Sequence, residues 1–184
     1  MINECLAKDI VITGPKHSGK TSAGKILASL CSCDFFDTDE LIFQNTGKSP
    51  RQLFNENPES FKKAEAEATA ALFRVQSRCR RVIAAGGGVI DNPEAADIIA
   101  SSGAVVAALD ISVSAAWQRI VSSGELPPFI NTENLPLPFG NEESHRALHI
   151  RRSATYREFA SIVIETDDKS PKDIAGEIYY KLSF

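Results

Sequence analysis

Short apolar runs alternate with helical patterns along the chain. Five runs of three to six residues are apolar or β-branched and stop at, or just before, a glycine or an acidic residue, which is typical of buried strands. The predicted strands are Asp9–Thr13, Phe35–Asp37, Val82–Ala85, Ala104–Leu109 and Ile162–Glu165.

Between these strands, apolar residues recur at helical spacing. Residues 20–30 carry apolar side chains at i, i+3, i+4 and i+7, the pattern of an amphipathic helix. A second stripe runs from Phe61 to Val75 after Pro58, and a third helix follows Pro171. The alternation predicts an α/β fold, with a mostly parallel sheet covered by helices on both faces.

The stretch from Ser122 to Ser144 lacks a helical pattern and holds four of the nine prolines. Loops of this length inside a compact domain are usually functional, so we expect a lid at about residues 122–144. A chain of 184 residues corresponds to about one domain. We therefore predict a single domain over residues 1–184 that carries this lid.

Composition and charge exclude several classes of protein. The 20 basic and 24 acidic residues give a net charge of -4, which does not support a nucleic-acid surface. No apolar stretch approaches the length of a spanning helix, and the first residues, with the acidic Glu4, lack the apolar core of a secretion signal. Four irregularly spaced cysteines favour free thiols in a reducing compartment. We expect a cytoplasmic monomer that binds neither nucleic acid nor a membrane.

Residues 14–21, GPKHSGKT, match the phosphate-loop pattern G-x-x-x-x-G-K-[ST] between a predicted strand and a predicted helix. The two glycines permit backbone angles that turn amide groups towards a phosphate, and the helix N-terminus adds partial positive charge. Lys20 is suited to reach the β- and γ-phosphates, and the Thr21 hydroxyl to ligate Mg²⁺. At the variable position of His17 we expect a solvated side chain. The predicted nucleotide-binding residues are Gly14, Ser18, Gly19, Lys20, Thr21 and Ser22.

Two further segments end predicted strands, at the edge where open α/β sheets bind ligands. Asp37-Thr38-Asp39 offers one carboxylate for Mg²⁺ and one to act as a base or orient an acceptor hydroxyl, although Asp37 or Thr38 is equally suited to cap a helix. Gly86-Gly87-Gly88 lets backbone amides approach a ligand closely. The chain has no N-K-x-D segment of a GTPase, and its size favours a small-molecule kinase over a motor or transporter ATPase.

Six segments, the phosphate loop among them, resemble those of shikimate kinases in order and spacing over nearly the whole chain. They read GPKHSGKT, FDTDELI, TGKSPRQLFNENPESFKKAE, VIAAGGGVI, RRSATYREFA and IETDDKSP. The resemblance implies a three-layer phosphate-loop kinase fold, similar to adenylate kinase, with a five-stranded parallel sheet of order 2-3-1-4-5 and a mobile lid. It also implies transfer of the γ-phosphoryl group of ATP to the 3-hydroxyl of shikimate, with Mg²⁺.

The same resemblance implies roles for individual positions. Asp39 matches the aspartate that holds the shikimate hydroxyls and assists deprotonation, and Asp37 matches the residue near Mg²⁺, beside Thr21. Gly86, Gly87 and Gly88 match the triplet that lines the shikimate pocket, and Arg152 matches the arginine that pairs with the shikimate carboxylate.

On the nucleotide side, the segment at Ser170-Pro171 matches one that lies beside adenine. Arg119 stays open between two interpretations, an adenine-stacking residue and a solvated charge on a helix. Pro171 and Arg119 therefore join the expected nucleotide-binding residues.

Two positions depart from the family pattern. Lys62 follows Phe61 where the family has an arginine, which keeps the charge at the shikimate site but loses the bidentate fork. Pro127 stands where the lid arginine is expected, and residues 120–145 contain no Lys or Arg. Such arginines contribute about 10³–10⁵ in rate. The candidates to replace it are Arg119, Arg146 and Arg151. The departures keep two alternatives open, a kinase for another small hydroxylated acid and a weakly catalytic nucleotide-binding regulatory module.

Overall fold

Parallel strands in the order β2-β3-β1-β4-β5 form the central sheet of this computed structural model. The structure describes residues 8–74, 80–123 and 139–182, with the backbone alone at 139–141. The five strands of these residues are β1 (Ile10–Thr13), β2 (Asp34–Asp37), β3 (Arg81–Ala84), β4 (Val105–Asp110) and β5 (Ile162–Glu165). The strands lie within one residue of their predicted limits, and the expected strand order is confirmed.

Helices connect the strands and cover both faces of the sheet. Within the described residues they are α1 (Lys20–Cys31), α2 (Thr38–Thr46), α3 (Pro50–Glu56), α4 (Pro58–Arg74), α5 (Pro93–Ser101), α6 (Val113–Ser123), α7 (Phe139–Phe159) and α8 (Pro171–Leu182), with a 3-10 turn at Val89–Asp91. The helices predicted after the phosphate loop, Pro58 and Pro171 are confirmed, although Val75 lies outside the described residues.

The alternation of side chains along β1 builds the two cores. Ile10 and Ile12 point to the face covered by α1 and α8, where Cys31 and Cys33 also pack. Val11 points to the opposite face, into the cluster that α4 and α5 complete. All three side chains are fully buried. Because both faces of the central strand are covered, its sequence is a continuous apolar run, as in other parallel sheets.

The stretch without helix is shorter at both ends than residues 122–144. Residues 122–123 complete α6, and residues 139–144 already belong to α7. The start of α7 could not be predicted because this helix has no continuous apolar stripe. Two of its buried positions are occupied by histidines, His145 and His149. Residues 124–138, which include Pro127, lie outside the described residues.

Candidate active site

The loops that follow β1, β2 and β3 line a cavity of about 1000 Å³, together with the starts of α3 and α4 and one face of α7. Most of the predicted site residues meet there. Those that line it are Gly19, Lys20, Thr21, Ser22, Asp39, Lys62, Gly86, Gly87, Gly88 and Arg152. The predicted residues outside its lining are Gly14, Ser18, Asp37, Arg119 and Pro171.

The phosphate loop has the backbone geometry expected from its glycines. Gly14 and Gly19 have φ angles of 142° and 99°, and a Cβ on Gly14 would lie 2.6 Å from the Leu109 carbonyl oxygen. Lys20 donates hydrogen bonds from Nζ to the carbonyl oxygens of Gly14 and Pro15 at 2.9 and 2.8 Å. Burial lowers the pKa of Lys20 to about 8, against the opposing charges of the nearby aspartates. Ser18 is buried in the loop.

Asp37 connects the phosphate loop with α2. One carboxylate oxygen accepts a hydrogen bond from the Thr21 hydroxyl at 2.7 Å. The other accepts from the backbone amide of Asp39 at 3.0 Å and so caps the N-terminus of α2. The prediction that Asp37 caps a helix is therefore confirmed.

The pair of Thr21 and Asp37 also fits Mg²⁺, because a hydroxyl and a carboxylate are hard oxygen donors. The described residues contain no group of three or more His, Cys, Asp or Glu side chains that would hold a metal by themselves. Magnesium in kinase sites commonly takes one or two protein oxygens and completes its shell with phosphate and water. The donor set is adequate for that mode of binding.

Asp39 and Gly86 lie against each other in the lining of the cavity. A Cβ on Gly86 would be 2.8 Å from Asp39 Oδ1 and 3.1 Å from Glu65 Oε1, so only glycine leaves both carboxyl groups in place. Burial and the neighbouring charge of Asp37 raise the pKa of Asp39. The backbone amide of Gly86 donates to the Thr38 hydroxyl at 2.9 Å, which fixes the glycine triplet on the start of α2.

Sequence reasoning missed Glu65, whose side chain is only 1% exposed. Its Oε2 accepts a hydrogen bond from Asn92 Nδ2 at 3.0 Å, and its Oε1 has no partner among the described residues. Burial raises its pKa to about 7, although the Asn92 hydrogen bond works in the opposite direction. A signal was present, since Glu65 occupies a position in the apolar stripe of α4 where a charge is out of place.

Arg152 extends from α7 into the cavity with its side chain only 11% exposed. It donates from Nε and Nη2 to Oδ2 of Asp91, at 2.8 and 2.6 Å. One turn further along α7, the Tyr156 hydroxyl donates to the carbonyl oxygen of Gly87. These contacts hold α7 against the glycine triplet. The cavity thus brings together a phosphate loop, a carboxylate and a buried arginine.

Comparison with known proteins identifies the family. The family model for shikimate kinase matches residues 16–183. The chain belongs to the shikimate kinase family. A shikimate kinase of Marinomonas sp. is 29% identical over 174 residues, which cover 94% of this chain and 90% of that relative.

Solved structures of the family share the fold over nearly the same length. A shikimate kinase from Acinetobacter baumannii in complex with shikimate is 28% identical, with a TM-score of 0.78 over 93% of this chain and 90% of that one. A shikimate kinase from Aquifex aeolicus is 25% identical, with a TM-score of 0.71 over 95% of both chains. The family, the fold and the enzyme class expected from the sequence are confirmed.

Lys62 lines the cavity and pairs with a neighbour on its own helix. Its ammonium lies 3.1 Å from a carboxylate oxygen of Glu59, one turn earlier on α4, and its side chain is 43% exposed. The backbone carbonyl of Lys62 accepts a hydrogen bond from Asn92 at 2.8 Å. The residue therefore lines the cavity while its charge is shared with an exposed carboxylate.

Arg119 is not the solvated helix charge that was one of its two interpretations. Its guanidinium donates to the carbonyl oxygens of Thr166 and Asp167 at 2.8 and 3.0 Å, and to that of His17 at 3.3 Å. It therefore ties the phosphate loop to the loop between β5 and Pro171, the first residue of α8.

His17, for which a solvated side chain is expected, is partly exposed, and its Nε2 lies 3.2 Å from the hydroxyl of Ser123 at the end of α6. Among the arginines considered as replacements for the lid arginine, Arg151 lines the cavity, whereas Arg146 is exposed on α7 outside it.

Proposed function

We propose that the chain transfers the γ-phosphoryl group of Mg²⁺-bound ATP to the 3-hydroxyl of shikimate, with the residue roles given below. The observation that carries this proposal is the contact between the two halves of the cavity. A Cβ on Gly87 would lie only 3.4 Å from the Gly14 carbonyl oxygen and from the Lys16 amide nitrogen. The backbone that lines the acceptor side therefore packs directly on the phosphate loop, so a hydroxyl bound there is close to a transferable phosphate.

On the nucleotide side, Lys20 exchanges its two loop carbonyls for oxygens of the β- and γ-phosphates. The ammonium is already held in place by those carbonyls, so it needs little reorganisation when the phosphates arrive. Backbone amides of the loop and the N-terminus of α1 add partial positive charge. Mg²⁺, held by Thr21 and Asp37, supplies further neutralisation of phosphate charge when it is bound.

Nucleotide binding in this proposal also involves the base. Arg119 and Pro171 border the place where adenine is expected, at the junction of the phosphate loop and the start of α8. Hydrogen bonds to three backbone carbonyls hold the guanidinium of Arg119 in place, so that it can form one side of the adenine site.

On the acceptor side, Asp39 orients the hydroxyl and accepts its proton. A pKa raised by burial and by Asp37 makes this carboxylate a better proton acceptor than an ordinary aspartate. Arg152 takes the acceptor carboxylate, and the glycine triplet leaves room for the ring. Fixing the acceptor in this way converts binding into positioning, which is the main contribution that a kinase can make to phosphoryl transfer.

A coupled ADP-release assay with shikimate, quinate and gluconate tests the activity. We expect turnover with shikimate, and absence of ADP release with all three acceptors would overturn the proposal. Two variants test the roles. Lys20→Met should lower kcat at least about a hundredfold, whereas Lys63→Met, an exposed lysine of α4, should not.

Asp39→Asn tests the acceptor side and has a close control on the same helix. We expect it to lower kcat while the affinity for ATP, measured by calorimetry, is retained. Glu40→Gln changes the neighbouring exposed carboxylate and should leave kcat unchanged. Equal kcat values for the Asp39 and Glu40 variants would contradict the role of Asp39.

Several expectations from the sequence remain predictions. No helix in the described part of the chain combines the length and the apolar character needed to cross a bilayer. The cytoplasmic location, the monomeric state, the lack of nucleic-acid and membrane partners, the single domain and the lid stay predictions. Of these, the state of association is measured directly by sedimentation.

A further inference from the structure

Asp91, at the end of the 3-10 turn after the glycine triplet, faces two guanidinium groups of α7. Arg151 forms a fork with it, from Nη1 to Oδ1 and from Nη2 to Oδ2, both at 2.9 Å. Arg152 shares Oδ2 of the same carboxylate. Burial opposes ionisation of Asp91, but the Arg151 hydrogen bonds and the Arg152 charge outweigh it and lower its pKa. The carboxylate is therefore ionised at neutral pH.

The two arginines differ in position. The Arg152 side chain is 11% exposed and lies inside the cavity, whereas the Arg151 side chain is 60% exposed. Asp91 is intermediate, at 28%. An inner arginine, a carboxylate and an outer arginine thus follow one another from the cavity towards solvent.

We propose that Asp91 determines acceptor affinity and selectivity by competing with the acceptor's carboxylate for Arg152. This inference rests on the proposed function, in which Arg152 takes that carboxylate. An acceptor that carries a carboxylate must displace Asp91 from the Nε and Nη2 edge of Arg152 or bind beside it against like charge. Either way, Asp91 weakens the binding of anionic acceptors more than that of neutral ones.

Arg151 makes the exchange feasible. When Arg152 turns to the acceptor, Asp91 keeps both of its hydrogen bonds to the Arg151 fork, so this half-buried carboxylate is not left without a partner. Without Arg151, Asp91 would depend on Arg152 alone and would hold it more firmly. The two residues therefore have opposite expected effects on the acceptor.

Steady-state kinetics of charge variants test the competition. Asp91→Asn should lower KM for shikimate by about tenfold and change kcat by no more than about twofold. The reason is that the lost charge opposes binding of the acceptor carboxylate but does not contact the reacting atoms. Arg151→Gln should raise KM for shikimate. Asp97→Asn, which removes an exposed carboxylate on α5, should have no effect.

The methyl ester of shikimate separates charge competition from a change of shape. It keeps the ring and hydroxyls but has no carboxylate charge, so its KM should be the same in the wild-type protein and in Asp91→Asn. Titration calorimetry with shikimate in the absence of ATP should show the same tenfold gain in affinity.

Each other result overturns the inference. A KM for shikimate that rises or stays constant in Asp91→Asn means that Asp91 merely positions Arg152 or plays no part. Equal gains for shikimate and its ester mean that the carboxylate is not the competing group. If the wild-type protein binds shikimate but does not phosphorylate it, the proposed function fails, and the calorimetric comparison still decides the competition.

Discussion

Replacing Glu65 by glutamine tests how burial beside the cavity changes the ionisation of a carboxyl group. Glutamine has nearly the same shape and retains an oxygen that can accept the hydrogen bond from Asn92, but it carries no proton that can dissociate. In the wild-type protein, Glu65 has a pKa raised from 4.5 to about 7 by burial. Below pH 4.5 the group is protonated in both the folded and the unfolded chain, so its ionisation does not affect the free energy of unfolding.

Between pH 4.5 and 7 the unfolded chain ionises Glu65, whereas the folded protein keeps the buried carboxyl group protonated. The stability that the neutral carboxyl contributes is therefore present at low pH and lost by pH 8. At roughly 1.4 kcal/mol per pH unit, the whole loss is about 3 kcal/mol. For a chain of this size that equals about 6–12 °C in Tm.

Chemical unfolding of the wild type and of Glu65→Gln between pH 4.5 and 8 measures this loss. The difference in unfolding free energy, variant minus wild type, should increase steadily over the interval by about 3 kcal/mol. Glu67→Gln, which neutralises an exposed glutamate of the same helix, should give a difference that is constant with pH. A constant difference for Glu65→Gln as well would refute the raised pKa and the burial argument behind it.

Three other predictions concern different parts of the molecule. Gly86→Ala would place a methyl group 2.8 Å from Asp39 Oδ1 and should lower kcat/KM with shikimate by about tenfold or more. Gly176→Ala, whose methyl group would enter open space on α8, should not lower kcat/KM. Equal values of kcat/KM for the two variants would contradict the close packing at Gly86. Arg119→Met should raise KM for ATP about tenfold and leave that for shikimate unchanged, with exposed Arg51→Met as control, and an unchanged KM for ATP would refute the placement of Arg119. Burial lowers the pKa of His145 to about 4 from its usual 6.5, so the unfolded chain binds a proton that the folded protein does not, and about 1–3 kcal/mol of stability should be lost between pH 6.5 and 4. Because Glu65 changes stability in the opposite direction over this range, the loss is measured as a difference: the unfolding free energy of the wild type minus that of His145→Phe should fall by this amount between pH 7 and 4.5. The corresponding difference for His17→Gln should fall by less, and a constant difference for His145→Phe would show that His145 does not cause the loss.

The parts of the fold and site that could be predicted depend on neighbours in sequence. The strands are continuous apolar runs, and β1 leads directly into the phosphate loop, whose glycines, lysine and threonine are fixed by local geometry. Asp37 was recognised as a possible helix cap because capping involves residues two or three positions apart. The resemblance to a known family then supplied the strand order.

The parts that could not be predicted depend on residues that meet only in the folded chain. Asp91 and its partners on α7 are 60 and 61 positions apart, and Arg119 is 47 positions from Thr166. No local pattern shows such pairs. The position of Lys62 at the cavity follows from the sequence, but its ion pair with Glu59 does not. The start of α7 was not predicted because histidines occupy buried positions where most helices have apolar residues.

The close approach of Gly87 to the phosphate loop has a thermodynamic consequence. Gly87 accepts a hydrogen bond from the Tyr156 hydroxyl, and a Cβ at Gly87 would lie 3.4 Å from backbone atoms of Gly14 and Lys16. If nucleotide binding shifts the loop, the acceptor wall shifts with it, and the two binding free energies are no longer independent. Such coupling is reciprocal, so the factor by which ATP changes the affinity for shikimate equals the factor by which shikimate changes the affinity for ATP. Through Tyr156, α7 would take part in this coupling between the two substrates.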